Sequence, residues 1–246
     1  MRATLFGVPG SHPALAGELM LERKGIEVRR LDLVAGVHRV MLRALGFPRM
    51  TVPAVRLDGR RLQGTRTIAL ALDALVPAPA LVPAEPERRE AVLRAEAWAD
   101  EVLQPAARRL VWSALKRDRS TLGSYLEDAK LGIPVPVATA VSPPIIRLAA
   151  RLNHADDEHA RRDLAALPAQ LDRVDGLLAQ GVIGGEEPNL ADYQVATSVR
   201  LIMSLEGVRG WIERRPAGAH ALAVVPRFPG RIGPVFPQDW LPPAAR

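Results

Sequence analysis

Cysteine is missing from all 246 positions, so the chain can form no disulfide, offers no thiolate to a metal and has no redox thiol of its own. Any sulfur chemistry here would have to arrive on a ligand, and no metal site is expected. Aromatic residues are scarce at 4% of the chain, and lysine occurs three times against thirty arginines. A nucleic-acid surface interleaves clustered basic residues with aromatics. These arginines instead alternate with acids, as in Glu85-Pro86-Glu87-Arg88-Arg89-Glu90, and with the abundant alanine, proline and glycine they match a GC-rich coding bias. No nucleic-acid partner is expected. Long apolar runs are absent too, because Arg or Asp interrupts every Ala/Leu-rich stretch short of the roughly 18 residues that a membrane span needs. Met1 to Pro9 is broken by proline too early for a secretory leader. We expect a soluble, cytoplasmic protein without a membrane partner. Its net charge of +6 would draw in a small anionic substrate.

What is present is a chain that changes character about a third of the way along. Thr4 to Val8 reads as a strand and Ala14 to Lys24 as a helix with Leu15, Leu19 and Met20 on one face, stopped by Gly25. Glu27 to Leu31 reads as a second strand, His38 to Leu45 as a short helix, and Gly46-Phe47-Pro48 as a break. Ala54 to Leu57 and Arg60 to Leu62 form a hairpin across Asp58-Gly59. Thr65 to Leu75 is a helix with an apolar face of Ile68, Leu70, Leu72 and Leu75. Four prolines in residues 76–86 then read as a stiff linker. Beyond it no strand alternation appears. Glu87 to Leu115 reads as one helix kinked at Pro105. Pro134 to Pro136 and Ser142 to Pro144 bracket an irregular connection. Helices follow at Ile145 to Leu152, Asp156 to Gln180 and Asn189 to Leu205, and a tail with six prolines after Gly218 wraps the surface. The domains expected are 1–76, a linker at 77–86, and an all-helical 87–246.

Three segments could carry chemistry. Val52-Pro53 heads a β-branched run, where proline removes a ladder hydrogen bond. A cis bond would turn the Val52 backbone outward to pair with an extended peptide; the alternative is an edge strand that starts at a proline. Gly64-Thr65 opens a helix, whose free N–H groups and dipole favour a carboxylate, while Thr65 alone could be an N-cap. Ser11, in Pro9-Gly10-Ser11-His12-Pro13, follows the first strand, at the end of a sheet where ligands collect. Its hydroxyl could donate to a ligand thiolate and lower the thiol pKa, or cap the next helix. His12 would orient the ligand, act as a base, or be a surface histidine. No acid lies near enough in sequence to suggest a hydrolase triad.

Together these segments resemble the glutathione S-transferase family. Ser11 to Ile26 looks like that family's first helix, with Ser11 where serine-type members place the activating hydroxyl. Val52-Pro53 resembles its cis-proline motif, and Gly64-Thr65 its pair that holds the γ-glutamyl end of glutathione. Asn189-Leu190-Ala191-Asp192-Tyr193 is similar to its helix-capping motif, with Asn189 as N-cap and Asp192 at N3. The resemblance covers essentially the whole chain and implies a thioredoxin-like N-terminal domain plus an all-α C-terminal domain. It departs in two places. Gly64 stands where an acid or glutamine is usual, with Arg39, Arg43 or Arg66 as candidates to compensate, and His12 separates Ser11 from Pro13.

The resemblance further implies a dimeric transferase for detoxification chemistry. Val52, Pro53, Gly64, Thr65 and His12 would bind glutathione or another small thiol as co-substrate, with no bound cofactor, and Ser11 would stabilise its thiolate. The electrophile would lie on the helix holding Val102, Arg108, Arg109, Trp112 and Leu115, with Arg108 and Trp112 the pocket residues; the alternative there is a solvated helical face. A dehalogenase or isomerase using glutathione falls in the same class. The other reading is a non-catalytic binding protein of the same fold, favoured by Gly64. Direct dithiol exchange is excluded by the absence of cysteine.

Overall fold

The computed structural model describes residues 1–131 and 134–245. Its first part is a four-stranded sheet, β1 (Arg2–Gly7), β2 (Glu27–Asp32), β3 (Ala54–Leu57) and β4 (Arg60–Gln63), in the order β2-β1-β3-β4. β1 runs parallel to β2 and antiparallel to β3, and β3 pairs antiparallel with β4. The β3–β4 turn is the expected Asp-Gly one: Asp58 and Gly59 both have positive φ, 44° and 84°, which matches a two-residue hairpin to the strand twist. Helices α1 (His12–Arg23), α2 (His38–Ala44) and α3 (Thr65–Leu75) complete this part, a thioredoxin-like arrangement.

The period of two along β1 sorts its side chains. Ala3 and Leu5 pack in the main core with Ala16, Met20 and Leu21 of α1 and Ile68 and Leu72 of α3. Phe6 joins Leu33, Leu42, Phe47 and Ala54 in a second core that includes α2. Two expected faces need correction. On α3 the buried residues are Thr65, Ile68, Ala69 and Leu72, while Leu70 and Leu75 are exposed. On α1 the fully buried side is Ala16, Gly17, Met20 and Leu21, with Leu15 and Leu19 only partly covered. In both helices alanine, and in α1 also glycine, marks a buried face that leucine alone does not.

Residues 76–85 have no regular structure, as their prolines predict, but they are fastened rather than free. Leu81 and Val82 are buried, and Asp73 of α3 accepts both of their N–H groups at 2.9 Å. The buried Lys24 Nζ donates to Asp73 at 2.7 Å, to the Val76 carbonyl at 2.6 Å and to the Pro79 carbonyl at 2.5 Å.

The rest is helical. α4 (Pro86–Trp98) continues through a π-helical turn, Ala99–Leu103, into α5 (Gln104–Arg117). The kink expected at Pro105 takes this form, with Gln104 N–H bonded to Ala99 O across a widened turn just before the residue that has no N–H. Then come α6 (Leu122–Leu126), α7 (Val135–Ala140), α8 (Ser142–Leu152), α9 (Asp157–Ala179), α10 (Leu190–Ile202), α11 (Glu206–Glu213) and α12 (Pro216–Val224). The irregular connection expected over 134–144 is instead helical. Its prolines fall in first turns, where a missing N–H costs nothing. The tail is likewise corrected, because α12 begins it and Val225, Ile232 and Leu241 are buried.

α10 is buried on every side and forms the axis of this part. It begins with the expected capping box. Asn189 Oδ1 accepts from Ala191 and Asp192, and Asp192 accepts the Asn189 N–H at 2.8 Å. Leu190 N–H donates to Leu81 O at 2.8 Å, tying this cap to the proline-rich stretch.

Candidate functional site

The sheet register decides which loops meet. Phe6 lies opposite Ala54 in the antiparallel β1–β3 pair, so Val8 and Val52 continue past the same end of the sheet. β2 is parallel to β1 and also finishes there, as does β4. The segments 8–13, 33–39, 49–53 and the start of α3 are therefore neighbours, though far apart in sequence. Over this end lies one face of α5, where Arg108, Val111, Trp112 and Leu115 follow the helical spacing of three and four. A cavity of about 320 Å³ separates them, lined by Ser11, His12, Val52, Arg108, Trp112 and others.

Ser11 caps α1: its Oγ accepts Ala14 N–H at 3.3 Å. That bond uses an oxygen lone pair and leaves the hydroxyl proton free to donate. Capping and thiol contact are thus compatible at this residue. Val52-Pro53 is cis. Among the described residues, neither the N–H nor the C=O of Val52 forms a hydrogen bond, and the residue lies on the cavity wall. Pro53 is buried behind it, its Cβ 3.4 Å from where a side chain on Gly17 of α1 would begin.

His12 corrects the surface-histidine alternative. It is 2% exposed, and its Nε2 is buried without a partner. Burial, reinforced by the nearby Arg108 charge, holds its pKa well below the ordinary 6.5, so the ring is neutral at neutral pH. His38 also titrates low, through burial and then Arg39. Gly36 N–H donates to its Nδ1 at 3.1 Å, which places the neutral ring's proton on Nε2.

Gly64 and Thr65 are close by but do not line the cavity. Thr65 is not the cap, because Gly64 occupies that position and Thr65 is buried in the first turn. Gly64 has φ 90° and ψ 143°, backbone that glycine adopts far more readily than other residues, and its N–H is taken by Pro53 O at 3.0 Å. A side chain grown from it would meet Arg49 Nη1 at 3.7 Å. The space left by the missing carboxylate or amide is thus beside a guanidinium. Of the suggested compensators, Arg66 is occupied by Glu96 and Leu93 O, and Arg43 donates to Pro48 O, whereas Arg39 lines the cavity.

Sequence reasoning missed three contributors. Gln63 turns inward and clamps the loop before Pro53, bonding Arg49 N–H and O at 2.8 Å each and Thr51 O at 2.7 Å. Its inward place in a strand was the available signal. Arg49 is set by that same clamp. Tyr125, on a helix too short to read from periodicity, wedges against Gly10 and Gly230 and bonds Ser204 Oγ at 2.5 Å. On α5, Arg108 and Trp112 face the cavity as expected, while Val102 and Arg109 do not. Arg109 instead makes a two-pronged ion pair with Asp163, at 2.6 and 2.9 Å.

No group of three or more His, Asp or Glu among the described residues could hold a metal ion. Also among them, no helix is long and apolar enough to cross a membrane.

Residues 5–80 match the family model described as glutathione S-transferase, N-terminal domain. No curated protein matches the chain by sequence. Among solved structures, the chain is similar to a glutathione S-transferase from Rhodospirillum rubrum, with TM-score 0.61, 17% identity and 97% of each chain covered. A Tau class glutathione S-transferase from mango, Mangifera indica, aligns with TM-score 0.62 and 12% identity over 98% of this chain and 93% of its own. A glutathione S-transferase from Methylobacillus flagellatus, described as having glutathione bound, gives TM-score 0.58 and 19% identity over 90% and 93%. Residues 5–80 thus carry a glutathione S-transferase N-terminal domain, and the chain has the fold of these solved glutathione S-transferases from end to end.

Proposed function

We propose that this protein is a glutathione S-transferase-like enzyme that joins a small thiol, glutathione, to an electrophile in the cavity between the sheet end and α5. The observation that carries the reading is that Ser11 and Val52, whose backbone is unpaired, line the same cavity. The glutathione-bound structure of a protein with the same fold supports the choice of thiol. Val52 would pair with the cysteinyl part of the peptide as an added strand, with Pro53 and Gln63 holding the loop in place. The γ-glutamyl end would reach the start of α3 at Gly64 and Thr65. There, the Arg49 guanidinium beside the bare Gly64 would pair with the γ-glutamyl carboxylate, in place of the contact an acid or glutamine would make. The division into domains 1–76 and 87–246, and a homodimer, belong to the same proposal.

In the reaction the thiol proton passes to water and Ser11 O–H donates to the thiolate. Favouring the charged form brings a thiol pKa of about 8.5 toward neutrality. The sulfur lone pair forms a bond to an electrophilic carbon. The leaving group departs with its bonding electrons or, for an activated alkene, the displaced pair takes a proton from water. The protein supplies position and thiolate stabilisation, and the sulfur supplies nucleophilicity. His12, neutral and buried, orients the bound thiol.

The test is conjugation of glutathione to chlorodinitrobenzene, with the bound thiol's ultraviolet titration followed in native protein and Ser11→Ala. Ser11→Ala should move thiolate formation to higher pH and slow conjugation. An unchanged titration would leave Ser11 as a cap alone. The bare Gly64 favours one second reading, a non-catalytic binding member of the fold. It predicts glutathione binding with no conjugation of any electrophile tried.

A further inference from the structure

The cavity wall is electrostatically one-sided. Its charged residues are Arg39 and Arg108, accompanied by His12 and His38, and no Asp or Glu is among its lining residues. Arginines elsewhere on this part of the chain find carboxylates. Arg109, its immediate neighbour, takes Asp163, and Arg117 takes Asp157 at 2.8 Å. Arg108 does not, among the described residues. Its Nη1 donates to Gln104 Oε1 at 3.1 Å, and Gln104 Nε2 in turn donates to Asp100 at 2.8 Å, so a neutral amide stands between the guanidinium and the acid. Arg108 Nε is buried and has no partner, as is His12 Nε2 on the facing helix. Both residues line the cavity, and a buried nitrogen without a partner is costly.

Around this pair the wall is apolar. Val111, Trp112 and Leu115 continue the α5 stripe from Arg108, and Leu122, Ala149 and Leu152 close the far side. A charge with no carboxylate bonded to it, Asp100 acting only across Gln104, stands beside an apolar slot and is the complement of a flat apolar body with an anionic group at one end. Burial already disfavours the charged form of Arg108, and the adjacent Arg109 adds to this. An incoming carboxylate would relieve both effects.

We propose that the acceptor substrate of this cavity is an anionic electrophile: a carboxylate on a flat apolar body, gripped by Arg108 and stacked along Val111, Trp112 and Leu115. The proposal rests on the reading of the cavity as the electrophile site. It predicts discrimination by charge rather than by size, since a carboxylate bonded to a desolvated guanidinium gains more than a neutral group of the same shape.

The experiment compares dinitrobenzoate with dinitrobenzamide, which share a ring and differ in charge, by calorimetry on native protein, Arg108→Gln and Arg108→Lys. Glutathione is titrated separately into each. Native protein should prefer the carboxylate by about tenfold or more. Arg108→Gln should erase that preference without changing glutathione affinity, and Arg108→Lys should keep part of it. Circular dichroism melting confirms that the variants fold, and the lysine variant carries the test if the glutamine one does not. Equal binding of the two ligands by native protein, or no binding of either at millimolar concentration, overturns the proposal. So does a preference that survives Arg108→Gln. A loss of glutathione affinity in Arg108→Gln would overturn it too, by assigning the guanidinium to the thiol's own carboxylate. Failure of glutathione to bind native protein would instead count against the transferase reading, and the carboxylate comparison would still decide this one.

Discussion

Ser11 Oγ accepts the Ala14 amide as the cap of α1, and the same oxygen keeps a proton to donate. Two substitutions separate these duties. Replacing an N-cap by alanine typically costs about 1 kcal/mol, and by glycine only a few tenths. Ser11→Gly should therefore melt close to the native protein yet lose thiol activation as fully as Ser11→Ala. A glycine variant with native thiol titration would remove the hydroxyl from the chemistry. His12 gives a second prediction, in pH. Its folded pKa lies below the unfolded value of 6.5, so the unfolded chain binds the proton first as pH falls. Its contribution is present above about pH 6.5 and is lost on acidification through the window down to the folded pKa. Half-buried Glu18 and buried Glu96, whose pKa values are raised, work in the opposite sense, so the difference between native and His12→Gln denaturation curves isolates the histidine. Below about pH 6.5 that difference should change by up to about 1.4 kcal/mol per pH unit. Parallel curves would contradict the burial of a neutral ring.

At the scale of elements, what could be read from the residues divides by mechanism. Strands with period two, the Asp-Gly hairpin and the Asn189–Asp192 box were legible because their signals are local. The helices over 135–144 were not, because a first-turn proline reads the same as a loop proline until the following residues are seen to pack. The buried faces of α1 and α3 were misplaced because Ala16 and Gly17 in α1 and Ala69 in α3 carry little hydrophobic signal, yet lie on the packed side. The fastening of residues 76–85 was invisible for another reason: Lys24 and Asp73 are 49 positions apart and look like ordinary surface charges. Removing Lys24 Nζ takes the counterion from Asp73, which keeps only the Leu81 and Val82 N–H groups, and the donor from two carbonyls in a largely buried setting. Lys24→Met should lower unfolding free energy by about 3 kcal/mol. A loss under about 1 kcal/mol, the range of exposed pairs, would show that the clamp is solvated in solution.

At the scale of the whole molecule, sequence separation hid the site's composition more than its location. Ser11, Val52 and the α5 stripe were readable one by one. Only the register, with four segments leaving the same end of the sheet, shows that they share a cavity and that Gly64 lies outside its wall. Arg49 beside Gly64 and the uncompensated Arg108 are facts of assembly, without a local signature. A homodimer should sediment at twice the chain mass of 26.7 kDa, and a single-chain mass would remove it. The central claim, that this cavity holds a thiol peptide, is tested most directly by titrating glutathione into the purified protein by calorimetry, beside S-methylglutathione. The account predicts saturable binding of both, with proton release at neutral pH for glutathione alone, because only its sulfur can ionise against Ser11. No heat at millimolar glutathione, or equal proton release from both ligands, would contradict it.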